Sequence, residues 1–315
     1  MAIYIIVVLV TAAIINYILL VKSVKTTPKN KETASYKRAH ALITVGFVLS
    51  FITASFIVYF VWIFPTWFKI LSFVGALHCC AFFYLWINIV FNYLTLVFTS
   101  PGKGYTLSEL DEEGYSAKNR PICGKCRRLQ CQGTFHCNQC AYCVRLFSHH
   151  SYLANNCVGL NNFSYFYLLL WYSLFGEIYG LWQLYGPFRA CILHIEEQTS
   201  DCVALGDCPW LFLVLLLALV FTAKSLLFHT ILLRMDVSQI DFLTELKTSS
   251  SLFSFAKYLC FKIFKRKLSR HRMKHLLFER KPQWKHIFLP SLNEPPIDLS
   301  AEDVIDYELE AGDMV

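Results

Sequence analysis

The segment Cys123 to Phe166 constrains the fold more than any other part of the chain, because its 44 residues hold seven cysteines and three histidines. Strongly apolar stretches lie on both sides of it. Two Cys-x-x-Cys pairs, Cys123/Cys126 and Cys137/Cys140, each present two thiolates from one tight turn. Zinc prefers four sulfur or imidazole donors in a tetrahedron, and such pairs are typical of its structural sites. The segment therefore predicts a metal-stabilised domain held beside a membrane.

A second group of donors follows these pairs, at His136, Cys143, His150 and Cys157. The eight residues together suffice for two closed four-ligand sites, and Cys131 is left over. A disulfide framework is the alternative interpretation of the cysteines, but the interleaved histidines favour metal binding over oxidation. The sequence therefore predicts two structural zinc ions.

These motifs resemble the cysteine-rich domain of the DHHC protein S-acyltransferases, the palmitoyltransferase family. The motifs that carry the resemblance are HC-x-x-C-x-x-C, the His-His pair, and NCVG-x-x-N followed by Phe166. The resemblance implies that one zinc ion is held by Cys123, Cys126, His136 and Cys143. It implies that the other is held by Cys137, Cys140, His150 and Cys157, so that the two interleaved sites stabilise each other. It also implies that His149 acts as the general base that activates a neighbouring cysteine.

The four residues that name the family are Asp-His-His-Cys, whereas this chain carries Ser148, His149, His150 and Ser151. Enzymes of that family form an acyl-cysteine from a fatty acyl-CoA, such as palmitoyl-CoA, and pass the acyl chain to a substrate thiol. A serine hydroxyl is a far weaker nucleophile than a thiol, whose unperturbed pKa is about 8.5. Ser148 also cannot stabilise an imidazolium as a carboxylate would. We therefore expect absent or badly impaired acyl transfer.

Two hypotheses for the function follow. The first is a pseudo-enzyme or adaptor that keeps the fold and binds fatty acyl-CoA, protein substrates or a partner acyltransferase. The alternative is an active acyltransferase that transfers palmitate to substrate cysteines through Ser151, with His149 as the base. Cys131 is a candidate surrogate nucleophile. An engineered Cys-to-Ser change at position 151 is a further interpretation, although Ser148 argues against it because one change would suffice to inactivate.

The rest of the chain has the composition of a polytopic membrane protein, with 56% hydrophobic residues, 16% charged residues and a mean hydropathy of +0.44. About 20 apolar residues are needed to cross a bilayer core of about 30 Å. Five stretches meet or approach that length: Ala2 to Val21, Ala41 to Phe64, Leu71 to Phe98, Phe163 to Tyr185 and Trp210 to Leu233. The first lacks the basic start and cleavage site of a signal peptide, so we interpret it as a retained anchor. The predicted fold is mainly α, a polytopic helical membrane protein with a small double-zinc domain.

These spans divide the chain into four regions. They are an N-terminal transmembrane region (1–98), the zinc domain (99–162), a transmembrane pair (163–233) and a C-terminal region (234–315). The C-terminal region contains a basic amphipathic part, Lys257 to Lys285, and an acidic tail, Glu294 to Asp313. The basic part predicts contact with anionic lipids. We expect no nucleic-acid partner, because the region follows a membrane span and carries no DNA-binding motif.

Charge predicts the orientation, since cytoplasmic loops are rich in Lys and Arg. Six such residues lie in Lys22 to His40, whereas Pro65 to Ile70 and Gly186 to Pro209 hold one each. We therefore expect the zinc domain and the C-terminal region to be cytosolic. The family resemblance implies an ER or Golgi membrane.

Several polar residues and cysteines fall in the predicted spans or in the Gly186 to Pro209 loop, which the charge pattern places on the lumenal side. Inside the bilayer Glu177 and Lys224 are costly. One hypothesis is an ion pair between adjacent helices, and the alternative is a protonated Glu177 with a Lys224 side chain that extends to the membrane surface. Four others are interpreted as packing residues rather than ligands: His78, Cys79, Cys80 and His229. Three lumenal cysteines can form one disulfide and leave one thiol: Cys191, Cys202 and Cys208.

Overall fold

The computed structural model describes residues 32–64, 72–112, 121–130, 133–193, 208–235, 238–248 and 288–290. The chain divides into two compact units, Met1–Asn92 with Leu168–Leu227 and Tyr93–Tyr167 with Phe228–Val315. The predicted anchor at Ala2 to Val21, the basic and acidic C-terminal segments, Cys131 and Cys202 lie outside the described residues.

Helices form most of the described structure, as the sequence predicts. They are α1 (Glu32–Val58), α2 (Phe73–Phe98), α3 (Leu107–Glu112), α4 (Phe163–Leu193), α5 (Cys208–Met235) and α6 (Gln239–Thr248). A π-helical turn, Tyr59–Ile63, continues α1. Four short strands follow α3: β1 (Phe135–Cys137), β2 (Tyr142–Val144), β3 (His149–Ser151) and β4 (Asn156–Val158). They pair as two antiparallel hairpins, β1 with β2 and β3 with β4.

Three described helical stretches are long and apolar enough to cross a membrane, over Ile43–Val61, Phe73–Phe98 and Leu211–Met235. They coincide with three of the predicted spans. Helix α4 is 31 residues long, but tyrosines, glycines and Glu177 lower its apolar character, and it is not in this set. The crossing of the membrane by α4 therefore stays a prediction.

The far end of α4 differs from the prediction. The sequence predicts a helix end at Tyr185, before a Gly-Pro pair, yet α4 continues for about two more turns. The ring of Phe188 stacks on that of Phe212 in α5, with 4.1 Å between the centroids. Cys191 is buried and disulfide-bonded, which agrees with one bridge in this region; its bonding cysteine lies outside the described side chains. These contacts offset the poor helix propensity of glycine and proline.

In the first unit, a cluster of polar and aromatic side chains joins the π-helical turn, α2 and α4. His78 Nδ1 lies 2.6 Å from Tyr179 Oη, and Gln183 Nε2 donates to Tyr59 Oη at 3.2 Å. The Tyr59 ring stacks on Phe82, with centroids 3.7 Å apart. Lipid tails are as apolar as a leucine side chain, so apolar burial alone does not bring membrane helices together, and interhelical hydrogen bonds and close packing hold them instead. His78 is therefore a hydrogen-bonding residue of a helix interface.

The predicted ion pair between Glu177 and Lys224 is wrong. Glu177 Oε1 instead accepts a hydrogen bond from Thr222 Oγ1 at 2.9 Å. Lys224 is exposed, and the described residues include no ion pair between it and Glu177. Residues two apart on a helix are rotated by about 200°, so the side of α5 that carries Thr222 turns Lys224 away. The long lysine stem can carry its ammonium group towards a polar boundary.

In the second unit, the β3–β4 hairpin is tied to the end of α2. The two N–H groups of Asn156 Nδ2 are shared among three carbonyl oxygens there, at 3.0, 3.3 and 2.8 Å: those of Leu96, Val97 and Thr99. The last carbonyl groups of a helix have no intrahelical donor. One side chain of the zinc domain thus satisfies the end of a helix that is apolar enough to cross a membrane.

A small core lies around the two hairpins. Val144 and Phe147 are buried with the metal-binding candidates Cys137 and Cys157, and Ile240 of α6 packs against this cluster. So few apolar side chains cannot stabilise a domain of this size without further cross-links. The cysteine and histidine clusters described below are the available cross-links.

Close packing at one glycine gives a direct test of this unit. A Cβ atom on Gly159 would lie 2.5 Å from the Pro101 carbonyl oxygen and 2.5 Å from Val144 Cγ1. A Cβ atom on Gly124 would meet nothing within 4 Å. We expect Gly159→Ala to destabilise the domain by about 1–3 kcal/mol or more, because a backbone oxygen cannot move away cheaply. Zinc content and thermal unfolding of the purified protein measure the effect.

Gly124→Ala is the matched control and should keep both the zinc content and the unfolding temperature. Equal stability of the two variants would contradict the packing at Gly159.

Candidate functional site

The first candidate metal cage brings together Cys123, Cys126, His136 and Cys143. Their donor atoms all lie within 4.8 Å of one another. The sulfur atoms of Cys126 and Cys143 are 3.4 Å apart. His136 Nδ1 lies 3.6 Å from the Cys123 sulfur and 4.0 Å from the Cys143 sulfur. Four donors therefore converge on one point.

The second cage brings together Cys137, Cys140, His150 and Cys157, again within 4.8 Å. The Cys140 and Cys157 sulfurs are 3.3 Å apart. His150 Nδ1 lies 3.4, 3.7 and 3.6 Å from the sulfurs of Cys140, Cys137 and Cys157 respectively. Each donor faces the other three, as in the first cage.

These separations fit a zinc ion at each centre. A tetrahedron with Zn–S bonds of about 2.3 Å has edges of about 3.8 Å, and the donor separations above range from 3.3 to 4.0 Å. A disulfide needs sulfur atoms about 2.0 Å apart, and all six cysteines of the two cages are free. The disulfide alternative is therefore wrong for these six, and each cage could hold one zinc ion.

The interleaving of the cages follows from strand geometry. His136 and Cys137 are consecutive residues of β1, and successive side chains of a strand point to opposite faces. One therefore enters the first cage and the other the second. Across the hairpin, His136 is paired in register with Cys143, and His150 of β3 is paired with Cys157 of β4. Each cage thus takes two donors that face each other across a hairpin.

The two Cys-x-x-Cys turns have the same backbone geometry. The residue after each second cysteine, Arg127 or Ala141, has a left-handed conformation with φ of 55° or 60°. Its N–H donates to the carbonyl of the first cysteine, Cys123 or Cys137, at 2.8 Å in both turns. A non-glycine residue adopts this conformation at a cost of about 1–2 kcal/mol. Backbone N–H groups in the first turn, above all that of Cys126, lower the pKa of the Cys123 thiol to about 7 and favour its metal-binding thiolate form.

The opposite face of β3 carries the residues that could react. His149 and Ser151 are two apart, so they share a face of the strand, while His150 points to the second cage. Ser148 is buried, and its Oγ lies 3.1 Å from His149 Nδ1. Ser151 Oγ accepts a hydrogen bond from the Ala154 N–H at 3.3 Å. The strand therefore separates a histidine that faces the second cage from a histidine beside the Ser148 hydroxyl.

His149 lies in an aromatic environment. Its ring centroid is 5.1 Å from that of Phe166 and 5.4 Å from that of His229 in α5. Burial, together with the smaller effects of the neighbouring imidazoles of His229 and His150, lowers the pKa of His149 to about 4. The His149 ring is therefore neutral near pH 7.

Sequence reasoning missed the place of His229 beside His149. A histidine inside an apolar helix was the available signal. The helix period alone could not indicate which distant element that side chain would contact, because 79 residues separate the two histidines along the chain. His229 is a packing residue, as expected, but the side chain on which it packs is His149, the candidate base.

The match to a known protein family lies in the part of the chain that holds both cages. Residues 116–245 match the family model described as DHHC palmitoyltransferase. The matched residues include both cages and the whole of β3. Residues 116–245 of the chain therefore resemble the DHHC palmitoyltransferase family.

Members of the DHHC family with curated names resemble the chain at about 30% identity. A "Probable protein S-acyltransferase 12" of Arabidopsis thaliana is 30% identical over 137 residues, which cover 36% of this chain and 46% of the relative. A "Palmitoyltransferase ZDHHC3" of Rattus norvegicus is 30% identical over 186 residues, 52% of this chain and 60% of the relative. The Homo sapiens protein of the same name is 28% identical over 197 residues, 61% of this chain and 62% of the relative. The chain thus matches about half to three fifths of the length of these relatives.

Mutation can distinguish the residues of the two cages from the residues on the opposite face of β3, which carries His149. We expect His150→Ala to lower the zinc content and to destabilise the domain, because it removes one of four donors from the second cage. The neighbouring His149→Ala variant should retain both zinc ions, because its side chain lies on the other face of β3. Elemental analysis of zinc per polypeptide after purification measures the difference. Equal zinc loss in both variants, or none in either, would contradict the assignment of the cage faces.

Proposed function

We propose that this chain is a catalytically impaired DHHC-family membrane protein that acts as an adaptor. The observation that carries the proposal is the contrast between the two sides of β3. The cage side presents its histidine to three cysteines. The opposite side presents serine where the family has its nucleophilic cysteine, at Ser151, and serine where it has its orienting acid, at Ser148.

Two structural zinc ions would be held by the cages. The first cage would use Cys123, Cys126, His136 and Cys143. The second would use Cys137, Cys140, His150 and Cys157. The ions would supply cross-links that fold the domain, and every donor position is filled, so neither cage would have an open position for a substrate.

Ser148 fails to do what a carboxylate would do for His149. A carboxylate only accepts hydrogen bonds, so it would keep the proton on Nδ1 and leave Nε2 as the base. A hydroxyl can donate to Nδ1 as well as accept from it, so it does not fix the tautomer. It also offers no negative charge to stabilise the imidazolium after proton transfer. His149 would therefore be a weak base.

Acyl transfer through Ser151 is the second candidate function, and the shared face of His149 and Ser151 favours it. In that reaction the Ser151 oxygen attacks the thioester carbonyl of the acyl-CoA while His149 takes the hydroxyl proton. CoA leaves as the thiol after receiving that proton, and an oxyester remains on Ser151. Transfer from this oxyester to a substrate thiol is disfavoured, because an oxyester is less reactive than a thioester.

The domain organisation and location follow the sequence analysis. The zinc domain at 99–162 would face the cytosol between the spans at 71–98 and 163–185, in an ER or Golgi membrane. Loops rich in Lys and Arg on that side support this orientation. The adaptor would bind fatty acyl-CoA, protein substrates or a partner acyltransferase of the same family.

Incubation with a radiolabelled fatty acyl-CoA tests the proposal. We expect purified protein in detergent or nanodiscs to retain no covalent label, because neither a thiol nor an oriented base is present at the reactive strand. Label that neutral hydroxylamine releases would indicate a thioester on a surrogate cysteine. Label that resists hydroxylamine would indicate an oxyester and would favour the second candidate.

Two variants identify the residue if label appears. Ser151→Ala should abolish an oxyester label, and Cys131→Ser should abolish a thioester label on that residue. Retained zinc in both variants ensures that loss of label reflects lost chemistry.

Restoring the family residues gives a second test. We expect Ser151→Cys with Ser148→Asp to accept label in hydroxylamine-sensitive form, and Ser151→Cys alone to react more slowly. A hydrogen bond to a charged group contributes about 1.5–3 kcal/mol, which corresponds to about a 10- to 100-fold difference in rate. The initial rate of labelling measures it. A double variant that retains both zinc ions but accepts no label would show that this chain differs from active relatives at further residues that the reaction needs.

A further inference from the structure

The turn between β3 and β4 presents two large apolar side chains. Tyr152 is 69% exposed and Leu153 is 56% exposed. Within the described residues 121–130 and 133–162, the only other large apolar side chain with comparable exposure is Ile122, at 44%. Val144 and Val158, in contrast, are fully buried in the same domain. The exposed pair is therefore concentrated at one turn, which we call the hairpin tip.

Two sets of hydrogen bonds fix the hairpin tip to the end of α2. Tyr93 Oη in α2 donates to the Leu153 carbonyl oxygen at 2.8 Å. Asn156, just after the tip, donates to three carbonyls at the end of the same helix. The exposed side chains are thus held beside the last two turns of α2.

The length of α2 places that end at a membrane surface. Its 26 residues extend about 39 Å, whereas the hydrocarbon core of a bilayer is about 30 Å thick. The excess puts the ends of the helix in the headgroup region. Phe98, the last residue of α2, is 79% exposed, so the apolar surface of the helix continues to the level of the tip.

We propose that Tyr152 and Leu153 insert into the boundary between the lipid headgroups and the acyl chains. The leucine would bury its aliphatic side chain, and the tyrosine would place its ring at the boundary with its hydroxyl towards the headgroups. The occupant of this surface is the phospholipid bilayer that α2 crosses. The proposal does not depend on the catalytic state of the protein.

The insertion has a structural consequence for the second cage. The Tyr152 ring contacts the His150 ring edge to face, with 5.2 Å between the centroids. A tyrosine held at the lipid boundary would cover one side of a metal-binding histidine and limit the access of water and chelators to it. The hairpin tip would therefore act as an anchor and as a cover.

Photo-cross-linking tests the insertion directly. The full chain would carry p-benzoylphenylalanine in place of Tyr152, Leu153 or Ile122, in nanodiscs of phosphatidylcholine with a radiolabelled acyl chain. We expect cross-linking to lipid at positions 152 and 153 to exceed that at 122 several-fold. Ile122 is the matched control, because it is an exposed apolar residue of the same domain with no described hydrogen bond to α2.

Zinc content shows whether each variant is folded. Position 153 decides the outcome if the change at 152 disturbs the cage, because the described bond of Leu153 to α2 uses its backbone carbonyl. Cross-linking of positions 152 and 153 to protein alone would indicate a protein-binding surface and would overturn the proposal. No cross-linking, or equal cross-linking at all three positions, would overturn it as well.

Discussion

The opposite orientation of His136 and Cys137 is the constraint on which the zinc domain depends. Two consecutive side chains of one short strand serve different cages, so neither cage can form without placing a donor of the other. The apolar core around the hairpins is too small to fold such a domain alone. A structural zinc ion contributes about 10–16 kcal/mol of apparent binding free energy in small metal-folded domains. Metal binding would therefore dominate the stability of this unit, and the shared strand would make the binding of two ions cooperative.

The same alternation separates stability from chemistry at β3. His150 points into the second cage, whereas His149 and Ser151 occupy the other face. Substitutions on the second face leave all eight donors in place. A chain with this fold could therefore lose residues on that face and keep the fold, whereas loss of His150 would remove a candidate metal ligand. This asymmetry gives a physical reason why the fold would require His150, whereas only the reaction proposed for the opposite face would require His149.

The sequence predicts the features that depend on local spacing and fails where distant elements meet. The cage donors were found because Cys-x-x-Cys turns and short hairpins bring their ligands together locally. Three apolar spans were found because length and composition determine them. The choice of Thr222 over Lys224 as the neighbour of Glu177, and the position of His229 beside His149, depend on how helices rotate against their neighbours. The extension of α4 beyond Tyr185 depends on a ring contact with α5, which overrides the local Gly-Pro signal.

Asn156 links the metal centre to the membrane helices in a way that composition alone does not indicate. It lies next to the ligand Cys157, yet its side chain satisfies three carbonyls at the end of α2. The carbonyls of a helix end are fixed in direction, so an amide whose two N–H groups are shared among three of them leaves the hairpin little freedom to rotate about that end. The position of His150 in its cage then sets the position of the opposite face of β3 as well. Metal ligation at this cage would therefore hold His149 and Ser151 at a defined height beside the end of α2, whether or not they carry out a reaction.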